Sequence, residues 1–420
     1  MFVPIIIDPC AFYDYRYLWV YLKFLFVAYK NNWALIASNE FSEYREKRPI
    51  SNVYENNFKK LHQYEILTKN EEETVQKFFI NQKIFDDLKQ KKGSVFETKY
   101  YLLKKSYKPL ERELRGIVKK IKKITQEKIE GFLVWNSCYK SIRVIAKKLK
   151  IPVITAEFAL RFPEYYSLSY FCFEEIYSEN EIKKMYFKFK NDMDQINIEL
   201  FSREELLAIF LQDDRLGIIE EKNVDLYEMG IAGCHPVITT FFAKSMYTDL
   251  ELIEDVRKEY SEEDILFRKH PGDEPYQAKY TLKNQDKSMY ASDFIRKCKR
   301  ITAVGSNTLL EAMLLGKTIY SNGISPFTFW GEKNLHVKDI KTIDYEVLNF
   351  ILLVYLVPYN KMQDEKYIRW RMQGKRCDIL FMNNIEYYFR ERNIPSNVLY
   401  FHSNERKNEI IKYRKKNMCD

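Results

Sequence analysis

The chain has 420 residues, with 68 Lys or Arg against 59 Asp or Glu for a formal net charge of +9, and 46% of it is hydrophobic. That length predicts two or three domains, and the apolar share is ample for buried cores, so a disordered, collagenous or disulfide-stapled chain is excluded. The charge is spread among many acidic residues, which suits anionic small ligands or a membrane surface and falls short of a nucleic-acid footprint.

The seven cysteines, Cys10, Cys138, Cys172, Cys234, Cys298, Cys377 and Cys419, are scattered with no CxxC pair. Reduced thiols in a cytoplasmic setting are therefore expected. Glycine is scarce at 12 residues, below the usual share of about 7%, and no GxGxxG occurs. Gly316-Lys317-Thr318 resembles the end of a P-loop, but Glu311 stands where that loop needs glycine. Met1 to Asp8 lacks the basic start and small-residue cleavage site of a signal peptide. The most apolar window, Tyr17 to Tyr29, contains Lys23 and is shorter than the roughly 20 residues of a membrane span, so it reads as a buried helix.

In chain order, Phe2 to Ile7 is an apolar run ended by Asp8-Pro9, as expected of a buried parallel strand. The helix Tyr17 to Tyr29 follows. Residues 40 to 110 are polar and aromatic, with a helix predicted over Glu71 to Gln90, and read as an inserted helical layer. Leu110 to Lys128 is a basic amphipathic helix. Gly131 to Asn136 (strand), Tyr139 to Lys150 (helix) and Ile151 to Ala156 (strand) form a βαβ unit with Asn136 and Glu157 at the strands' carboxyl ends, where parallel sheets hold ligands. Residues 180 to 230 read as a helical connection. The alternation then resumes with strands at Pro236 to Phe242, Ile265 to Arg268, Arg300 to Val304 and Thr318 to Tyr320, and helices at Asp249 to Tyr260, Ser292 to Lys297 and Asn307 to Leu315. Helices dominate from Tyr345 onward and end in a basic tail, Arg406 to Lys416, with Ile410 and Ile411 as its apolar pair.

Three motifs could carry chemistry. In Phe267-Arg-Lys-His-Pro-Gly-Asp-Glu-Pro275 a strand empties into a basic turn, where Lys269 offers a point charge and His270 a directed donor to a phosphate, with Pro271 fixing the turn. In Val304-Gly-Ser-Asn-Thr-Leu-Leu-Glu311 a strand passes into Ser306, Asn307 and Thr308, residues that start helices and can present donors to an anion, while Glu311 could accept from ribose hydroxyls. The same residues also fit ordinary capping. In Ala156-Glu-Phe-Ala-Leu-Arg161 a carboxylate and an arginine follow a buried strand, so Glu157 is a candidate general base or nucleophile, or the partner of Arg161 in an ion pair. Asp192-Met-Asp194 sits in a charged helical run and reads as solvated surface. With five His and no HExxH, no metal site is expected.

These pieces, in this order, resemble the capsule-polysaccharide transferases of Gram-negative bacteria, the retaining β-Kdo transferases that use CMP-Kdo. The likeness rests on Val134-Trp-Asn136, Glu157-Phe-Ala-Leu-Arg161-Phe-Pro163, Arg268-Lys-His-Pro271, Gly305-Ser-Asn-Thr308 through Glu311 and Gly316-Lys317, and Asn322-Gly-Ile-Ser-Pro-Phe-Thr-Phe-Trp-Gly331, and it covers residues 130 to 335. The family's glycine after the acidic residue is absent here.

The resemblance implies an α/β, GT-B-like fold of two Rossmann-like domains facing a cleft, with extra helices. The expected division is an acceptor-side domain with a helical insertion (1–230), a nucleotide-sugar domain (231–340) and helices packing back across them (341–420). It implies transfer of Kdo or a related nonulosonate from CMP to a growing surface glycan. Lys269, His270, Pro271, Ser306, Asn307, Thr308 and Glu311 would bind the nucleotide, and Asn136 and Arg161 the substrate. Glu157 would be the acid/base, and Asp249 the second catalytic carboxylate, with Asp225 and Asp214 as alternatives. No cofactor or metal is implied beyond the CMP-Kdo donor. A CMP-sialic-acid-dependent sialyltransferase and a non-catalytic polysaccharide-assembly protein of the same fold are the rival readings. The basic helices suggest attachment to an anionic inner leaflet, where a lipid-linked acceptor would lie. A solvated face explains them equally.

Overall fold

A computed structural model describes residues 1–8, 18–44, 58–59, 64–136, 138–173, 179–196, 198–221, 224–234, 247–270, 282–323 and 345–416. The chain forms two compact units that interleave in sequence. The first comprises Met1–Glu157, Phe171–Ile176 and Asn360–Arg369, and the second Phe158–Tyr170, Tyr177–Tyr359 and Trp370–Asp420. Each is α/β and built on parallel strands, the fold class expected from the alternating pattern.

The first unit contains β1 (Phe2–Ile6), α1 (Leu18–Asn31), β2 (Leu35–Ser38), β3 (Lys77–Ile80), α2 (Lys108–Thr125), β4 (Gly131–Trp135), α3 (Lys140–Leu149) and β5 (Val153–Phe158). Its strands run parallel in the order β3-β2-β1-β4-β5. This is the doubly wound order, in which the chain reverses its direction of growth between β1 and β4. Every residue of β1, β2 and β4 is buried, which accounts for their unbroken apolar runs. Helix α2 buries Leu110, Leu114, Ile117, Val118 and Ile121 on one stripe, the helical spacing its sequence predicts.

The stretch read as an inserted helical layer contains a strand among its described residues. β3 lies between the helices Lys69–Thr74 and Lys83–Lys92 and pairs with β2, Phe78 opposite Ile36. The helix predicted over Glu71 to Gln90 is therefore broken, because pairing with an existing strand outweighs the weak helical preference of a Lys- and Glu-rich sequence.

The second unit holds most of β6 (Leu168–Cys172), then α4 (Arg203–Phe210), β7 (Tyr227–Ala232), α5 (Asp249–Glu259), β8 (Ile265–Arg268), α6 (Ala291–Arg296), β9 (Cys298–Ala303), α7 (Thr308–Leu314), β10 (Thr318–Ser321), β11 (Val357–Pro358), α8 (Cys377–Glu391) and α9 (Ser403–Lys416). Four strands run parallel in the order β10-β9-β7-β8. The central strand, β7, lies in the stretch read as a helical connection. The strand predicted at Pro236 to Phe242 falls outside the described residues.

The C-terminal helix departs from expectation. Its inward stripe is Arg406, Ile410 and Arg414, so two of the residues read as a basic, membrane-facing surface point into the protein. Arg406 and Glu205 are both fully buried, with Nε 2.5 Å from Oε1 and Nη2 3.1 Å from Oε2. Arg406 also donates to the carbonyls of Glu199, Leu200 and Leu399 and lies 4.4 Å over the Phe201 ring. Arg414 donates to Asp213 and to the carbonyls of Ala208 and Leu211. Among the described residues no helix is long and apolar enough to cross a membrane.

Removing one member of a buried ion pair leaves the other charge desolvated and alone, at a cost of about 3–5 kcal/mol. Arg406→Ala is expected to lower unfolding free energy in urea by about that much. Arg406→Ala combined with Glu205→Leu should recover part of it. Equal stability of Arg406→Ala and the wild type would contradict this account.

Candidate active site

In the first unit, the register of β4 with β5 sets Trp135 opposite Ala156, so the next residues, Asn136 and Glu157, emerge side by side at the carboxyl edge. Asn136 adopts φ +60°, a left-handed conformation that Asn tolerates better than most residues. Its N–H donates to the Ala156 carbonyl at 2.6 Å, and its side-chain amide donates to Glu157 Oε2. The carboxylate is half-buried. The amide fixes the direction in which this oxygen faces. Both residues expected at this edge are therefore present and directly bonded.

Lys23 joins them. It projects from α1, is fully buried, and places Nζ 4.0 Å from the Trp135 ring centre and 5.3 Å from that of Tyr64. Burial pushes its pKa well below the usual lysine value, and the Glu157 charge opposes that shift. Sequence reasoning notices Lys23 only as an interruption of an apolar helix. That interruption was the signal: a lysine on the buried face of a helix needs a partner.

In the second unit, β7 lies between β8 and β9, so the His270 and Ser306 motifs are not on neighbouring strands. They are two strand spacings apart, about 10 Å, and the β7 exit at Gly233-Cys234 fills the gap. Lys269 is exposed and His270 half-buried at the end of β8; Pro271 lies outside the described residues. Gly233 N–H donates to the Arg268 carbonyl at 2.9 Å. A Cβ on Gly233 would sit 3.2 Å from both that oxygen and Asp249 Oδ2, and 3.3 Å from His270 N. Glycine lets these three chain segments meet. The sequence signal for β7, Met229-Gly-Ile-Ala232, is short and glycine-broken, and it falls at the end of the stretch read as a helical connection.

Ser306 Oγ accepts from Thr308 N–H at 3.2 Å and lies 3.1 Å from its hydroxyl, a local turn ahead of α7, whose N-cap residue, Asn307, makes no side-chain cap. Asn307 is committed elsewhere, donating to the Phe158 carbonyl and accepting from Tyr170 OH, each at 2.8 Å. Asp249 is buried at the start of α5, and its Oδ2 accepts from Cys234 N–H at 2.7 Å, so it anchors the β7 exit. Asp225 precedes β7, at the opposite edge of the sheet, and pairs with Lys317. Asp214 is exposed on the 3₁₀ turn Asp213–Ile219.

Glu311 is joined by a residue not singled out in the sequence, Glu164. Burial is the chief cause raising both carboxyls, to about 7 for Glu164 and about 8 for Glu311, and for Glu311 the charge of Glu164 adds to it. Arg215 opposes the shift at Glu164, while Arg161 and Arg268 oppose it at Glu311. Glu164 accepts from Ser292 N–H at 3.2 Å and lies 3.6 Å from Arg215 Nη2. Arg215 in turn bonds Asp293 at 2.8 Å, and Arg268 bonds Asp286 at 2.5 Å. Arg161 therefore acts on Glu311 in this unit. Among the described residues no cluster of three or more His, Cys, Asp or Glu could hold a metal ion.

Comparison with known proteins bears on the first unit most directly. Residues 6–181 match the model of the Glycosyltransferase 99 family N-terminal domain. This match supports a glycosyltransferase, an enzyme that transfers a sugar. Among solved structures, the β-Kdo 2,7 transferase of Thermosulfurimonas dismutans KpsC is 15% identical with a TM-score of 0.40, covering 62% of this chain and 90% of that one. Its β-Kdo 2,4 transferase is 14% identical with a TM-score of 0.36, covering 54% and 81%. A UDP-GlcNAc 2-epimerase from Methanocaldococcus jannaschii, in complex with UDP-GlcNAc and UDP, is 14% identical with a TM-score of 0.30, covering 90% and 94%. Curated protein sequences yield no match.

The carboxyl pair has a measurable consequence. Raised pKa values mean that the folded state holds protons the unfolded chain releases above about pH 4.5. The stabilisation is complete below that pH and is lost as pH rises through 7 to 8, at up to about 1.4 kcal/mol per pH unit for each proton. Glu311→Gln should flatten the fall of Tm between pH 5 and 8.5. A slope identical to that of the wild type would show that the Glu311 carboxyl is not raised in the folded protein.

Proposed function

We propose that the protein is a retaining glycosyltransferase that moves Kdo, or a related acidic nonulosonate, from its CMP-activated form to a growing surface glycan. The observation that carries the reading is the Asn136–Glu157 pair at the carboxyl edge of a doubly wound sheet, within the residues that match the glycosyltransferase domain. Glu157, oriented by Asn136, takes the proton from the acceptor hydroxyl as that oxygen bonds the anomeric carbon on the face from which CMP departs. Lys269 and His270 neutralise the phosphate of the departing CMP, with the Ser306 and Thr308 hydroxyls as further donors. Asp249 keeps the β7 exit in place and so shapes this edge. The carboxyls of Glu164 and Glu311, held beside Arg161 and Arg268, form a proton-bearing wall that admits an anionic donor more readily than two full charges would.

Purified protein assayed with CMP-Kdo and, separately, CMP-sialic acid is expected to release CMP from the first. Glu157→Gln should lower transfer by about 10²-fold or more and keep the thermal shift produced by CMP. His270→Ala should lose both. Release of CMP only from CMP-sialic acid would replace the donor. Unaltered transfer by Glu157→Gln would remove the acid/base assignment.

A further inference from the structure

We infer that the outward face of α2 and α3 is a docking surface for an anionic lipid bilayer. The inference stands apart from the transferase reading, since it concerns the helical layer of the first unit and no residue given a part in transfer.

Helix α2 divides by charge as it divides by burial. At about 100° per residue, Lys108, Arg112, Arg115, Lys119, Lys122 and Lys123 occupy one arc of about 100°, and no other residue of the helix falls within it. All six are exposed, and they run along about 22 Å of the helix axis. The acid beside the arc, Glu111, is buried and neutralised in place. It accepts from Ser106 and pairs with Lys108 at 3.3 Å and with Lys148 of α3 at 3.2 Å. Among the described residues no carboxylate pairs with Arg112, Arg115, Lys119, Lys122 or Lys123. The Lys148 bridge seats α3 against the flank of this arc, and Lys140, Lys147 and Lys148 are exposed on it too. Two neighbouring helices therefore present one sign of charge.

Lys108 and Arg112, Arg115 and Lys119, and Lys119 and Lys123 are each four residues apart, a spacing at which like charges destabilise a helix. Helix stability thus does not account for the grouping, whereas a surface of opposite charge does. Shape decides among polyanions. Single-stranded nucleic acid calls for aromatic platforms among the basic residues, and the arc holds none. A straight row of basic side chains on adjoining helices matches a flat layer of headgroups, where each Lys or Arg improves partition about fivefold. The C-terminal helix offers no such arc: Arg406 and Arg414 turn inward, and Lys412 pairs with Glu409 at 2.9 Å. Helices α2 and α3 lead into parallel strands and so run along the sheet. Lipid against their sides leaves the carboxyl edge, with Asn136 and Glu157, uncovered.

Flotation of the full chain with vesicles tests this. At about 0.1 M salt the protein is expected to float with phosphatidylcholine vesicles containing about one-third phosphatidylglycerol, and to stay behind with phosphatidylcholine alone. Binding should fade toward about 1 M salt, where the screening length falls to about 3 Å. Arg112→Gln, Arg115→Gln and Lys119→Gln together should lower partition about a hundredfold at unchanged Tm, because glutamine suits a helix as well as the residues it replaces. The same loss of charge on α9, by Lys412→Gln, Lys415→Gln and Lys416→Gln, should leave partition nearly unchanged. Equal partition of the two triple variants would show that net charge alone drives binding and would overturn the inference. So would flotation with phosphatidylcholine alone, or none by the wild type. Binding to duplex RNA that is tighter than binding to the vesicles, and lost in the α2 variant, would give the face to nucleic acid instead. Should the α2 triple variant lose Tm, its three single variants, each expected to lower partition about fivefold, decide the matter in the same way.

Discussion

Parallel pairing brings the carboxyl ends of neighbouring strands to a common edge, and both units place their polar residues there. In the first unit one register, Trp135 opposite Ala156, puts Asn136 against Glu157 without help from any loop. In the second, β7 determines how far apart the basic turn after β8 and the helix start after β9 must lie. Gly233 then decides how closely the chain may pass at that edge. Shifting either register by one residue would turn these side chains toward the opposite face, so the chemistry is tied to the hydrogen bonds that build the sheets.

A second theme is charge taken out of water and matched there. Arg406 on Glu205 and Arg414 on Asp213 each set a buried charge against an opposite one. Glu164 and Glu311 follow the other course, burial raising both carboxyls toward the neutral form. The ion pairs of α9 secure its packing, whereas Arg161 and Arg268, expected or placed beside the nucleotide motifs, act on Glu311. The same physical cost thus serves stability in one place and tuning in another.

Much of this was legible in the sequence where the signal is local. The strand Ile265–Arg268 has the predicted bounds, and α5 and α7 differ by a residue or so at an end, because Thr248 and the Ser306 turn mark their starts. Asn136 and Glu157 were visible as strand-end polar residues. What escaped depends on partners distant along the chain. β3 is stable only beside β2, and β7 is recognisable only when flanked by β8 and β9. Asn307 looked like a free cap, but its amide is taken by Phe158 and Tyr170, more than 130 residues earlier. Glu164 shows its role only when Glu311 is brought to it.

The pairing of Glu205 with Arg406 also constrains how the protein is made. The two residues are separated by 201 positions, so α4 leaves the ribosome with a carboxylate destined for the interior and no counter-ion yet synthesised. Folding of the second unit must stay open at that place, or keep Glu205 hydrated, until α9 has been translated. Helix α9 therefore closes this part of the second unit, and a messenger truncated shortly before it would yield a polypeptide exposed to chaperones and proteases.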